Sequence, residues 1–325
     1  HVVNVTEGEK SFTEILMAYK ESLLIRINMY VGEPSSALAS GMLLGNTQMS
    51  GELTETFRVA GLSHIVVLSG FNIAILIAAL LLLLKPLPLV LRVGVAGVIV
   101  VLFVLMVGGE ASIVRATLMA FVSLLARLLG RGYVAHQALL LSFLCIILYS
   151  PLTLLYDVSL HLSFLATGGL VYMNDGMKKL CEKIPFGIYK EIVSTSLAAY
   201  LATLPYVMYT FGTMSVYGVV TNLMVLPLVP LIMLLTFITV LLSYISSTLA
   251  YGIGYIVTSL SDSIIWIART IEGLPFASLA VTVTFYTACF MYLFIFGVYT
   301  FLVTRIKNET LVTKEGESIS GVISY

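Results

Sequence analysis

Stretches such as 216–243 and 280–303 run for more than twenty residues without one charged side chain. Few environments accept that. A helix needs about 17–25 apolar residues to cross a bilayer, and hydrocarbon satisfies no backbone amide, so a spanning chain must be helical or a closed barrel. Similar apolar segments recur at roughly 65–84, 93–107, 112–130, 135–149, 158–173, 192–210 and 249–268. The chain is 59% hydrophobic and only 10% charged, with mean hydropathy +1.04, whereas soluble domains are about a quarter charged. The expected fold is an all-α polytopic integral membrane protein, a bundle of about 8–10 transmembrane segments with broken or re-entrant helices.

The break is expected in 216–243, which is long for one span. There NLMVLPLVP places Pro227 and Pro230 where each removes a backbone donor. Residues 1–33 read as an amphipathic N-terminal helix following a missing upstream domain, since the chain begins at His1 with no initiator Met or signal-peptide pattern. Residues 34–57 read as short helices. The unit 34–303 is the membrane bundle, and 304–325 a polar tail. Cys145, Cys181 and Cys289 have neither metal-ligand spacing nor a disulfide framework.

Seventeen basic and seventeen acidic residues cancel, so the distribution of charge carries the information. If each segment crosses once, Lys85, Arg92, Arg127, Arg131, Lys178, Lys179, Lys183, Lys190, Arg305 and Lys307 collect on one side. The positive-inside rule makes that side cytoplasmic and puts the N-terminal segment outside. NDGMKKLCEKIPFGIYKE, 174–191, reads as the one sizeable loop inside the bundle.

Polar groups inside lipid cost about 2.5–3.5 kcal/mol when ionisable, and they mark bundle interiors or watery paths. Four constellations stand out. In GLSHIVVLSGFN, 61–72, Ser69 and Asn72 share a helical face, with His64 at its mouth. They either glue helices together or line a polar path. In GGEASIVRATLMAFVSLLARLLGR, 108–131, Ser112, Ala116, Ala120, Ser123 and Arg127 form a small-residue stripe. Arg115 lies beside it, with Glu110 the nearest carboxylate in sequence. In SPLTLLYDVSLHLSFLATGGL, 150–170, Asp157 and His161 are spaced to pair on one helical face, and Gly168 continues that face. In 197–227, Asn222 precedes the proline break, and Tyr200, Tyr206, Tyr209, Phe211 and Tyr217 offer rings for an interfacial belt or for stacking unpaired bases.

Taken in order, these segments resemble the competence domain of the ComEC family, inner-membrane DNA channels of bacterial transformation. GLSHIVVLSGFN resembles its GLSHxxxxSGxH/N pattern. ASIVRATLM with Gly130–Arg131, PLTLLYDVSLHLSFLATGG and LPYVMYTFGTMSVYGVVTNLMVLP resemble the three that follow. Asn72 stands where many members carry a second histidine, and Leu160–His161 where many have Phe–Gln, so no metal role and no cofactor are carried over.

The resemblance implies a multi-pass protein of the bacterial cell membrane that conducts single-stranded DNA inward. It also implies an extracellular DNA receptor, a cytoplasmic helicase-like translocase, and soluble domains missing from this chain. The family's metallo-β-lactamase-like nuclease has no HxHxDH counterpart here, and GxxxxGK[ST] is absent, so neither an enzyme nor a motor is expected. His64, Ser69, Asn72, Glu110, Ser112, Arg115, Asp157, His161 and Asn222 are the candidates for the DNA path. A secondary transporter for a small anionic solute is the rival reading, because broken helices suit one. GxSG and HExxH patterns of intramembrane proteases are absent.

Overall fold

The computed structural model describes residues 12–46, 48–66, 70–108, 111–130, 134–182, 184 and 187–322. In chain order the elements are α1 (Phe12–Tyr30), α2 (Ser35–Leu44), α3 (Gly51–Val59), α4 (Ser63–Val66), α5 (Gly70–Leu83), α6 (Leu89–Val107), α7 (Ala111–Leu128) and α8 (Ala135–Tyr149). There follow α9 (Thr153–Tyr156), α10 (Val158–Leu180), α11 (Gly187–Phe211), β1 (Thr213–Ser215), α12 (Gly218–Val225), α13 (Leu228–Leu242), α14 (Ser247–Glu272), β2 (Ser278–Ala280) and α15 (Phe285–Val322).

This is an all-α membrane protein. Among the described residues, Leu89–Val107, Tyr189–Phe211 and Phe285–Arg305 are each long and apolar enough to cross a membrane. The pair α12 and α13 passes together but is bent by 44°. That bend is the break expected in 216–243. Pro227 and Pro230 leave the carbonyls four residues back, Leu223 and Leu226, without their helical donors. The other apolar segments form helices too short or not apolar enough to qualify alone. α5 has 14 residues, α8 has 15, and α10 carries Asp175, Lys178 and Lys179.

Two cores hold the bundle. The larger joins Ile27 of α1, Leu38 of α2, Phe57 of α3, Ile232 of α13 and Ile264 of α14. The smaller joins Ile73 and Ile77 of α5, Val100 of α6 and Ile113 of α7, with Ala116 and Ala120 of the small-residue stripe packed against it. Lipid tails are as apolar as these side chains, so close packing of small residues carries the association within the bilayer. Gly169 of α10 shows this: a Cβ there would stand 2.6 Å from the Ala198 carbonyl oxygen and 2.6 Å from the Ala202 Cβ of α11.

The structure adds detail that the sequence did not carry. α1 is tied into the bundle: Lys20 Nζ donates to the Val107 carbonyl at 3.2 Å, and the Arg26 guanidinium lies 3.7 Å from the centre of the Tyr244 ring. The expected loop 174–191 is mostly helix, with Lys178 and Lys179 in the last turn of α10, where cations oppose the negative end of the macrodipole. α15 continues as helix through most of the expected tail. A short antiparallel ladder, β1 with β2, pairs Met214 with Leu279; three-residue strands carry no periodicity to read.

α10 and α11 run antiparallel, with His161 beside Tyr206 and Gly169 against Ala198, so the bundle has two ends. The ladder lies at one end, against α3 and α11, and the chain passes from it into the start of α15. The far end holds the turns after α5, α7 and α10. α10 and α15 run parallel, since the Tyr299 hydroxyl donates to the Tyr172 carbonyl and Val303 packs on Gly176. Arg305 therefore lies at the far end, with Lys178 and Lys179.

Candidate functional site

The four polar constellations are far apart in sequence, yet each touches the next. The first junction is Gly70 with Arg115. Gly70 opens α5, and a Cβ there would stand 2.9 Å from Arg115 Nη2 and 3.3 Å from the Ala116 Cβ. The bare glycine lets the tip of the Arg115 side chain lie close against this helix start.

The second junction joins Arg115 to α10. Arg115 is 6% exposed. Its Nη1 donates to the Thr167 hydroxyl, which in turn donates to the Ser163 carbonyl at 2.8 Å. The guanidinium carbon sits 5.8 Å from the centre of the Phe164 ring, and Met119 Sδ accepts at 3.5 Å. The contacts of this permanent cation thus include a hydroxyl, a thioether and an aromatic face. Such a group favours anions nearby and stays charged at any physiological pH.

The third junction joins α10 to α11, and it corrects the expected Asp157–His161 pair. Asp157 is the N-cap of α10, with Oδ1 accepting from the Leu160 amide at 3.0 Å. His161 turns elsewhere: Nδ1 lies 2.6 Å from the Tyr206 hydroxyl and Nε2 2.6 Å from the Leu154 carbonyl. A carbonyl can only accept, so Nε2 carries the proton and Nδ1 accepts from Tyr206. A capping carboxylate spends its oxygen on the helix start, which the spacing of four could not reveal.

The fourth junction closes the circuit. Gly61, in the turn after α3, has φ +76°, and a Cβ there would meet the Gly218 Cα at 2.8 Å and Ser215 Oγ at 2.9 Å. Gly218 opens α12, and the Tyr200 hydroxyl donates to the Ser215 carbonyl. First touches second, second third, third fourth, and fourth first. All four junctions lie within a few turns of the ladder end.

The remaining candidates are placed as follows. Asn72 is 2% exposed and its amide donates to the Met42 carbonyl of α2 at 3.0 Å, a helix-joining contact. His64 is exposed on α4. Asn222 is 9% exposed, and its buried Oδ1 has no hydrogen-bond partner in the structure. Ser112 lies in the first turn of α7. Ser69 and Glu110 lie outside the described residues, as does the Ser112 side chain. Sequence reasoning missed Thr167 as the Arg115 acceptor and Gly61 as a contact point. The ATGG run and the turn before SH were the available signals. No cluster of three His, Cys, Asp or Glu occurs among the described residues. At the ladder end, Arg58 bonds the Glu55 carboxylate at 2.7 Å through Nε and also reaches the Thr213 hydroxyl. Hydrogen bonding to Arg58 holds the Glu55 carboxyl below its usual range.

Comparison with known proteins bears on the family of the chain. The family model described as competence protein matches residues 42–306. The ComE operon protein 3 of Bacillus subtilis (strain 168) is 24% identical over 235 residues, covering 70% of this chain and 29% of that protein. The chain therefore spans under a third of the length of that curated relative. No solved structure matches.

Proposed function

The chain belongs to the competence protein family, and from that premise we propose that it conducts single-stranded DNA across the bacterial cytoplasmic membrane during natural transformation. The observation that carries this reading is the closed circuit of contacts, with Arg115 buried in it. Four polar segments converge near one end of an otherwise apolar bundle, where a polyanion would need polar groups and water. A scattered cation attracts phosphate without reading sequence, which suits passage better than retention.

The same reading sets the sidedness. The far end gathers Lys85, Arg92, Lys178, Lys179, Lys190 and Arg305, so it faces the cytoplasm. The ladder end and the N-terminal segment face outward. A DNA receptor outside delivers the strand, and a helicase-like translocase inside pulls it, because this chain carries no phosphate-binding motor loop.

The test is Arg115→Gln in the full-length protein, with transformation and membrane abundance measured together. Loss of a charge-assisted hydrogen bond is worth about 1.5–3 kcal/mol, so uptake is expected to fall by at least about tenfold at unchanged abundance. Normal uptake would refute the role given to Arg115; lost abundance would make it a structural residue. One observation favours a second reading, transport of a small anionic solute: the bent pair α12–α13 resembles the broken helices of transporters. Reconstituted vesicles offered labelled single-stranded DNA or small anions separate the two.

A further inference from the structure

Phe276 is the only non-glycine residue with positive φ among the described residues, at 58°. For a bulky side chain this is a costly backbone state. The loop that imposes it is tightly tied. The Leu274 amide donates to the Ile271 carbonyl at 3.0 Å, and the Val216 amide to the Ala277 carbonyl at 3.1 Å. The Tyr217 hydroxyl donates to the Pro275 carbonyl at 3.2 Å. Two of these bonds come from the segment linking β1 to α12, which belongs to the fourth junction.

The ring gains nothing inside the fold, since Phe276 is 76% exposed. Strain that persists without a packing return points to a role outside the fold. Other rings surround the ladder: Phe211 and Tyr286 are exposed, and Phe285 lies edge-on to Tyr209 at 6.2 Å. Charge does not explain the patch. Arg58 and Arg269 stand with Glu52, Glu55 and Glu272 at this end, so a phosphate gains little there. A planar base gains from an aromatic face whatever the local charge, and every base has such a face.

We propose that Phe276 is a stacking platform for an unpaired nucleobase entering at the ladder end. The proposal rests on the strand-conduit reading above. The rival role for an exposed ring is an anchor in the lipid interface. Substitutions separate them. Phe276→Trp keeps a stacking face and an anchor. Phe276→Leu keeps apolar bulk but loses the face. Phe276→Gly removes the ring and relieves the backbone, so it guards against misfolding.

The experiment uses the full-length protein in lipid nanodiscs with a labelled oligo-thymidine strand and an abasic strand of equal length. A thymidine strand carrying 5-iodouracil is photocrosslinked in parallel. Stacking predicts that the wild type and Phe276→Trp prefer the thymidine strand and crosslink at residue 276. It predicts that Phe276→Leu and Phe276→Gly bind thymidine at least about fivefold more weakly, with abasic binding unchanged. Equal binding by the wild type and Phe276→Leu, with no crosslink at 276, overturns the proposal and leaves the conduit reading standing on Arg115. A wild type that binds neither strand overturns both.

Discussion

Gly168 and Gly169 are neighbours in α10, and the same substitution at each should give opposite results. At Gly168 an added Cβ meets nothing within 4 Å. At Gly169 it meets the Ala198 carbonyl oxygen and the Ala202 Cβ, each at 2.6 Å. Ordinary carbon contacts lie near 3.5–4.0 Å, so α10 and α11 must separate by about 1 Å. Glycine to alanine in a helix interior gains up to about 1 kcal/mol from propensity, and this gain applies at both sites. Overpacking at Gly169 costs about 1–3 kcal/mol. Gly168→Ala should therefore raise stability slightly. Gly169→Ala should be neutral to destabilising by about 2 kcal/mol. Their difference cancels propensity and isolates the packing cost. Unfolding of the purified protein in detergent by graded denaturant measures it. In the Gly169→Ala background, Ala202→Gly should recover part of the loss and no more, because the Ala198 carbonyl belongs to the backbone and remains. Equal shifts for the two single variants would refute the claim that a close α10–α11 contact at Gly169 holds these helices.

Three further outcomes are expected. Asp157→Ala should cost about 1 kcal/mol, the worth of an N-cap, while the His161–Tyr206 contact survives; loss of that contact in side-chain NMR would mean that the two acidic and basic groups are coupled after all. Gly61→Ala should destabilise by about 2 kcal/mol or more in thermal unfolding, since it combines strain at φ +76° with a clash on Gly218. Because the folded Glu55 carboxyl titrates below its unfolded value of 4.5, the Glu55–Arg58 pair stabilises above that pH. The contribution disappears as pH falls through the folded value. Both side chains are over a third exposed, so the effect is at most about 0.5 kcal/mol; an Arg58→Gln variant whose stability tracks the wild type across pH 5 to 3 would remove it.

Much of the helical framework was legible because the bilayer imposes it. Apolar runs bounded by charge became α5 to α8, and the prolines at 227 and 230 marked the bend between α12 and α13. What failed was local and polar. Lys178 and Lys179 suggested a loop, but cations at a helix C-terminus satisfy the dipole and extend α10 instead. Asp157 and His161 have the spacing of a partnered pair, yet a side chain at a helix start can bond backward to amides, and periodicity does not record that choice. Thr167, whose hydroxyl accepts from Arg115, is fifty-two residues away, and no local pattern links the two; Glu110, the nearest carboxylate in sequence, lies outside the described residues. Contacts between motifs are long-range facts. Their order along the chain could be read, but not their closure into a circuit.

That closure sharpens what the proposed conduit must do. The circuit sits toward the ladder end, where Glu55 pairs with Arg58 and Asp157 caps α10, while the far end carries most of the lysines. A strand entering here first meets acidic groups and reaches the basic end only after crossing the bundle. Over a bilayer of roughly 30 Å, with a Debye length of about 8–10 Å in the flanking water, the far charges exert little pull on the entrance. Capture then cannot depend on the field of this chain. It depends on delivery from outside, on contacts that ignore net charge, such as ring faces at the mouth, and on the buried guanidinium of Arg115 beyond it. Raising salt should therefore weaken entry through this unit much less than the steep dependence typical of proteins that bind DNA through many phosphates. A steep salt slope for the isolated membrane unit in vesicles would contradict that order of events and move the capture step to the basic end.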